Sequence, residues 1–259
     1  MRSLVEEKVE LRKDVVMAAT VDEETGSHCG IIPLLEKKVL RPGFACVMDS
    51  TEFDAVIAQK GMMHARMQII GKKAHGAYNW RGESAIEKAA EIIHKLKKLK
   101  FKFKKHPNLR GPTINIGTIC GGEKVNMVCD LCEFSIDFRF PPGMDPKAVI
   151  KRFKSTAASV TPKFKFIIDD LQMPYEISRE HPGIKCYMKT AKRLKCPAKF
   201  KGSEGATVIT LFQKYKIPAF ATGWGAHGTM HANDEYIFIK SLYNGTKLLE
   251  EYIKEYDKL

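Results

Sequence analysis

The spacing of apolar and polar positions changes several times along this chain, and each change marks an element. Val15-Val16-Met17-Ala18-Ala19-Thr20-Val21 is a continuous apolar run of the kind that fills a central strand. It leads into Asp22-Glu23-Glu24, and Gly26 and Gly30 supply the turn chemistry that stops it. Residues 63–70, 113–119, 125–140, 163–168 and 217–222 also read as strands, while 84–99, 145–159, 183–194 and 239–256 carry helical periodicity. Asp145-Pro146 has the form of an N-cap followed by proline at the first helical position.

The order of these elements predicts an insertion. Between residues 63 and 171 it runs β-α-β-β-α-β, the split βαβ arrangement of ferredoxin-like domains. Residues 1–62 and 172–259 then form one α/β domain with a central mixed sheet and helices on both faces, and 63–171 a lid or dimerisation domain.

Composition narrows the class. A hydrophobic fraction of 44% argues against disorder, and no apolar run approaches the roughly 20 residues of a membrane span. The opening Met-Arg-Ser-Leu-Val-Glu-Glu-Lys lacks an apolar signal core, so a cytoplasmic protein is expected. The seven cysteines fit that expectation: Cys29, Cys46, Cys120 and Cys132 lie in or beside apolar runs, as reduced buried thiols do. Cys129 and Cys132 have metal-motif spacing but fall in an extended stretch, where positions three apart face opposite ways. The net charge of +13 raises nucleic acid as a rival partner. The densest basic run, 95–105, follows a helical pattern and reads as a solvated helix end, so no nucleic-acid partner is expected.

Candidate chemistry gathers at strand ends. Glu24 follows the first apolar run, and Asp49 follows Cys46-Val47-Met48. His231 lies in the glycine-rich loop after 217–222, with His227 as its neighbour. In open α/β sheets the ligand crevice lies at the carboxyl ends of strands. Carboxylate and imidazole together suit zinc, with cobalt or manganese as competitors. A solvated acidic turn is the plain alternative for the Glu23-Glu24 pair.

With these pieces in place, the chain resembles the zinc-dependent amidohydrolases that include acetylornithine deacetylase, succinyl-diaminopimelate desuccinylase, aminoacylase and glutamate carboxypeptidase. Six ordered blocks carry the resemblance: Ala19 to Gly26; Asp49-Ser50-Thr51 with 54–61; 71–77, which holds Gly71 and His75, with Gly82 and Ala85-Ile86; Asn115-Ile116-Gly117 with Gly121-Gly122 and Asn126; Asp137-Phe138-Arg139 with Pro142-Gly143; and 230–236. The resemblance implies that Glu23 is the general base and that His75, acting on a partner subunit, stabilises the oxyanion. It implies Glu24, Asp49 and His231 as metal ligands, and Arg139, Asn126, Glu204 and Gly205 as substrate contacts. The implied reaction is hydrolysis of amide bonds in N-acyl amino acids or short peptides, by a homodimer joined through the lid domain. Zinc would supply a water with a pKa near about 7. Asp137 could instead pair with Arg139 along one strand face.

The chain also departs from the pattern. Family members carry an upstream Gly-His-x-Asp motif and a metal-bridging Asp, whereas the first histidine here is His28. The two-metal site is therefore expected to be incomplete within this chain and its activity impaired. Glu204 stands where relatives often have Asp, and Asn79 where proline is common. The competing reading is a non-catalytic dimerising protein that binds a carboxylate ligand or complements a separate N-terminal half.

Overall fold

The computed structural model describes residues 1–259 except Thr25 and His231. The chain opens with α1 (Arg2–Glu6), α2 (Ile31–Glu36), β1 (Ala45–Met48) and β2 (Ala55–Gln59). It continues through β3 (Gly61–Ile70), α3 (Ala85–Lys97), β4 (Thr113–Gly121), β5 (Leu131–Phe140), α4 (Pro146–Ala158) and β6 (Phe164–Gln172). It ends with β7 (Tyr175–Glu176), α5 (Pro182–Arg193), β8 (Phe200–Ser203), α6 (Ile209–Lys214), β9 (Ala219–Thr222) and α7 (Ile239–Tyr256). Two units result: Met1–Gln59 with Tyr175–Leu259, and Lys60–Pro174.

The first unit holds a mixed sheet of order β1-β9-β2-β7, with β8 also paired to β2. β1 and β9 are parallel, in register from Ala45↔Ala219 to Met48↔Thr222. β2 runs antiparallel to β9 and parallel to β8. All four residues of β9 and all five of β2 are buried, as expected of strands covered on both faces. Ile184, Tyr187, Leu248 and Tyr252 of α5 and α7 join Phe220 in this core. Buried hydroxyls tie it together. The Tyr175 hydroxyl donates to the Ala219 carbonyl at 2.6 Å and accepts from its N–H at 2.7 Å.

The second unit is an antiparallel sheet of order β4-β5-β3-β6, covered on one face by α3 and α4. Its βαββαβ connectivity and strand order are ferredoxin-like. β3 and β5 pair without interruption from Gly61↔Phe140 to Ile70↔Leu131. Their alternating residues separate a buried face (Met63, Met67, Ile69; Phe134, Ile136, Phe138) from a polar one. Ala85, Ala89, Ile92 and Leu96 form the matching stripe on α3. Ser84 Oγ caps α3 by accepting from Glu87 N–H, and the Asp145 carboxylate caps α4 by accepting from Lys147 N–H, with Pro146 in the first turn.

Three sequence expectations need correction. Residues 15–21 form no strand and are not buried: Val16, Met17 and Val21 are 68%, 75% and 68% exposed. An apolar run is strand-competent, but a strand exists only through ladder partners, and this run pairs with none among the described residues. The strand expected from residue 125 starts at Leu131, and Val125 is fully exposed. Cys29 and Cys120 are exposed rather than buried, whereas Cys129 and Cys132 are buried. Cys129 lies before β5 and its thiol donates to the Leu131 carbonyl at 3.0 Å.

Candidate functional site

Asp49 is the candidate ligand that the fold positions most definitely. It is half-buried, directly beyond the carboxyl end of β1. Because β1 and β9 are parallel neighbours, the loop that starts at Asp49 and the loop that starts at Gly223 leave the same end of the sheet side by side. Phe53 N–H donates to the Gly223 carbonyl at 2.7 Å and Glu52 N–H to that of Gly225 at 3.2 Å. Glu52 and Phe53 are both left-handed, at φ 56° and 65°, a conformation that bulky residues rarely adopt. Asp54, almost wholly buried, accepts from Lys199 N–H at 2.7 Å and pairs with Lys201 Nζ at 2.5 Å. Burial works against the Lys201 charge, but the Asp54 carboxylate holds its pKa above the usual lysine range.

Trp224 anchors the facing loop. A Cβ placed on Gly245 of α7 would lie 2.1 Å from the Trp224 ring, so the indole rests directly on the helix backbone. His227 is exposed, with Nδ1 4.0 Å from Glu52 Oε2. His231, the expected ligand of this loop, lies outside the described residues.

Glu23 and Glu24 are exposed on a turn. The residue that organises this turn is Asp22, at φ 67°. Its carboxylate accepts from Cys29 N–H at 2.7 Å and its carbonyl from Ser27 N–H at 2.6 Å. Glu204 and Gly205 follow β8, which runs opposite to β1 and β9, so they leave the opposite end of the sheet from Asp49.

In the second unit the fold brings His75 and Asn126 together. Gly76 N–H donates to the Asn126 carbonyl at 2.7 Å, and His75 bridges to Met127. His75 caps the short 3-10 turn Gly76–Arg81, its Nδ1 accepting from Ala77 N–H at 3.1 Å. That bond leaves the imidazole free to donate through Nε2. Arg139 forms a two-pronged pair with Asp137, at 2.7 and 3.2 Å, the strand-face arrangement open to it from sequence.

Among the described residues no three His, Cys, Asp or Glu side chains converge closely enough to hold a metal ion. Sequence reasoning missed Glu52 and Asp54 as shaping residues. No sequence signal marks the left-handed pair at 52–53, and Asp54 was legible only as a member of its block.

Residues 57–165 match the model of the peptidase dimerisation domain of M20 proteins. The chain is 26% identical to acetylornithine deacetylases of Photorhabdus laumondii, over 256 residues, and Klebsiella pneumoniae, over 257. Each alignment covers 95% of this chain and 65% of the relative. Over nearly its whole length the chain is thus similar to acetylornithine deacetylases and, in fold, to M20 peptidases. It spans about two thirds of the length of those curated relatives. An aminopeptidase from Bacillus cereus shares the fold with a TM-score of 0.80, at 20% identity, over 98% of this chain and 67% of its own. An M20 metallo-carboxypeptidase from Sulfolobus solfataricus has a TM-score of 0.73, at 20% identity, over 92% and 69%. A Bacillus subtilis structure with a TM-score of 0.69, at 18% identity over 97% and 67%, is described as a dinuclear metal-binding M20 peptidase. Among the described residues no helix is long and apolar enough to cross a membrane.

Proposed function

We propose that this chain is a member of the M20 metallopeptidase and deacylase family and serves hydrolysis of amide bonds in N-acyl amino acids or short peptides. The observation that carries the reading is the likeness to acetylornithine deacetylases over 95% of this chain. Asp49 and the loop that includes His231 would present ligands for a divalent metal, zinc first among them, with Glu24 as a further ligand. Such a metal supplies a nucleophilic water at neutral pH. Glu23 would take and return the proton. The outward Nε2–H of His75 would meet the developing oxyanion, acting on the partner subunit of a homodimer. Asn126, Glu204 and Gly205 would contact substrate, and so would Arg139 once released from Asp137.

The test is hydrolysis of N-acetyl and N-succinyl amino acids with added zinc, cobalt or manganese, comparing wild type with Glu23→Gln and Asp49→Ala. Each variant should abolish whatever metal-dependent turnover the wild type shows. Metal-dependent turnover that survives both changes would remove the reading.

A further inference from the structure

The charge of this protein is unevenly divided. Lys60–Pro174 contains 22 Lys and Arg against 10 Asp and Glu, a net +12, while the other unit contains 21 against 20, a net +1. A composition adapted for solubility would spread the excess over both units. Charge asymmetry of this kind points to an anionic partner for one of them.

The excess is also local. Residues 92–119 carry eight Lys and Arg and no Asp or Glu, and α4 carries Lys147, Lys151, Arg152 and Lys154 with no acid. The fold joins these two segments. Arg152 donates to the Lys100 carbonyl at 2.6 Å and lies 4.9 Å from the centre of the Phe101 ring. Lys95 reaches Ser159 Oγ, just past α4, at 3.3 Å. Several carboxylates of this unit are engaged elsewhere: Glu83 with Lys88 and Lys163, Asp169 and Glu133 with Arg66, and Asp137 with Arg139. Lys98, Lys100, Lys102, Lys104 and Lys105 are exposed and have no ion pair among the described residues. Like charges held together this way repel one another, so the surface is stabilised by a ligand that neutralises several at once.

The shape narrows the ligand. After α3 the chain has no regular secondary structure through Lys100-Phe101-Lys102-Phe103-Lys104, where lysines alternate with phenylalanines along the sequence. That rhythm suits consecutive phosphates on one strand. Phe103, 40% exposed among them, offers a ring on which a base can stack. The apolar faces of α3 and α4 are buried in the core, leaving these helices no apolar side to sink into a bilayer.

We infer that the acid-free surface formed by residues 98–105 and α4 binds single-stranded nucleic acid through its phosphates, independently of any amide hydrolysis. The test is fluorescence anisotropy of a labelled 12-nucleotide oligouridine with the full chain at 50 and 200 mM salt. Neutralising about five phosphates predicts roughly a hundredfold weakening over that interval. The variant Lys98→Gln/Lys100→Gln/Lys102→Gln/Lys104→Gln should lose at least about tenfold in affinity and most of the salt slope, with an unchanged unfolding midpoint. Phe103→Ala should cost about fivefold. The same number of charges removed from the other unit, at Lys189, Lys192, Lys240 and Lys247, should change affinity little. Equal losses in both quadruple variants, or no binding at 50 mM salt, would overturn the inference. So would binding to phosphatidylglycerol vesicles that depends on the same lysines in the absence of oligouridine binding.

Discussion

The α-carbon of Gly223 lies so close to the backbone of Ser50 that a Cβ built on it would stand 2.2 Å from the Ser50 carbonyl oxygen. This contact joins the loop after β9 to the loop that follows Asp49, and both neighbours at the contact are backbone. Gly223→Ala therefore cannot be absorbed by a side-chain shift. It should destabilise the chain by about 2 kcal/mol or more, as overpacking does. Urea unfolding measures the loss, and Gly43→Ala, where nothing lies within 4 Å and the backbone is not left-handed, gives the comparison without a clash. A stability equal to wild type for Gly223→Ala would show that the two loops are not held as described.

Tyr187 secures the same region from below. Its hydroxyl lies 2.8 Å from the Phe53 carbonyl and 2.5 Å from Thr222 Oγ1, all of it buried. Burial drives the phenol pKa upward, so it stays protonated and can donate across the working range. Tyr187→Phe keeps the ring and removes both bonds, leaving the Phe53 carbonyl without its hydroxyl donor. The expected cost is about 1–3 kcal/mol. A double-mutant cycle with Thr222→Val should show coupling, because the two side chains share one hydrogen bond. Additive losses would place the hydroxyls apart.

Much of this architecture can be read from sequence where the signal is local. Helix α7 falls on the expected residues, and α3 and α4 begin beside Ser84 and Asp145-Pro146, because capping and apolar spacing are decided within a few residues. The run at 15–21 was misread because its fate depends on ladder partners, which local pattern cannot supply. The site is legible as a set of residue types but not as an arrangement. Nothing in the sequence indicates that Gly76 N–H bonds to the Asn126 carbonyl and so draws His75 towards Asn126. Nor does it indicate that β8 runs opposite to β1, which separates Glu204 from Asp49. The first arises from an isolated bridge between loops and the second from strand order, both set by contacts distant in sequence.

Acid should weaken the second unit through Glu83. Hydrogen bonds from Lys88 and Lys163, with their charges, hold this carboxyl down to about 2 from an ordinary value of 4.5. A depressed folded-state pKa gives stability that is fully present above the unfolded value and lost as pH falls through the folded one. The loss attributable to Glu83 should therefore fall between about pH 4.5 and pH 2. Glu83→Gln should be less stable than wild type at pH 7 and should show a flatter decline below pH 4.5. Parallel wild-type and variant curves of unfolding midpoint against pH would assign the acid sensitivity to other carboxylates.

Thiol reactivity should follow exposure rather than sequence context. Cys29 and Cys120 are exposed, while Cys132 is fully buried and desolvation raises its pKa. Thiolate is the reactive form, so burial suppresses alkylation twice, by access and by protonation. Brief iodoacetamide treatment of the folded chain at pH 8, followed by peptide mass mapping, should label Cys29 and Cys120. Cys129 and Cys132 should become labelled only after unfolding. Early labelling of Cys132 would contradict the packing of β5 against α3.

Gly245 sets two opposing effects against each other in one residue. It lies inside α7, where alanine would ordinarily stabilise a helix by about 1 kcal/mol relative to glycine. Here the Trp224 ring occupies the space, with three of its atoms between 2.1 and 2.6 Å from the position a Cβ would take. Overpacking of a rigid ring costs about 1–3 kcal/mol, and more when the contact falls well inside van der Waals distance. The clash should win, so Gly245→Ala should destabilise by about 1–2 kcal/mol. Because Trp224 anchors the loop that includes His227, its fluorescence should report the displacement. The measurement uses a Trp80→Phe background, since Trp80 is 73% exposed and would otherwise dominate the signal. A red shift of Trp224 emission together with a lowered urea midpoint is the expected pair of results. A Gly245→Ala variant that is stabilised, with unaltered emission, would mean that α7 follows ordinary helix propensity and that Trp224 does not rest on it.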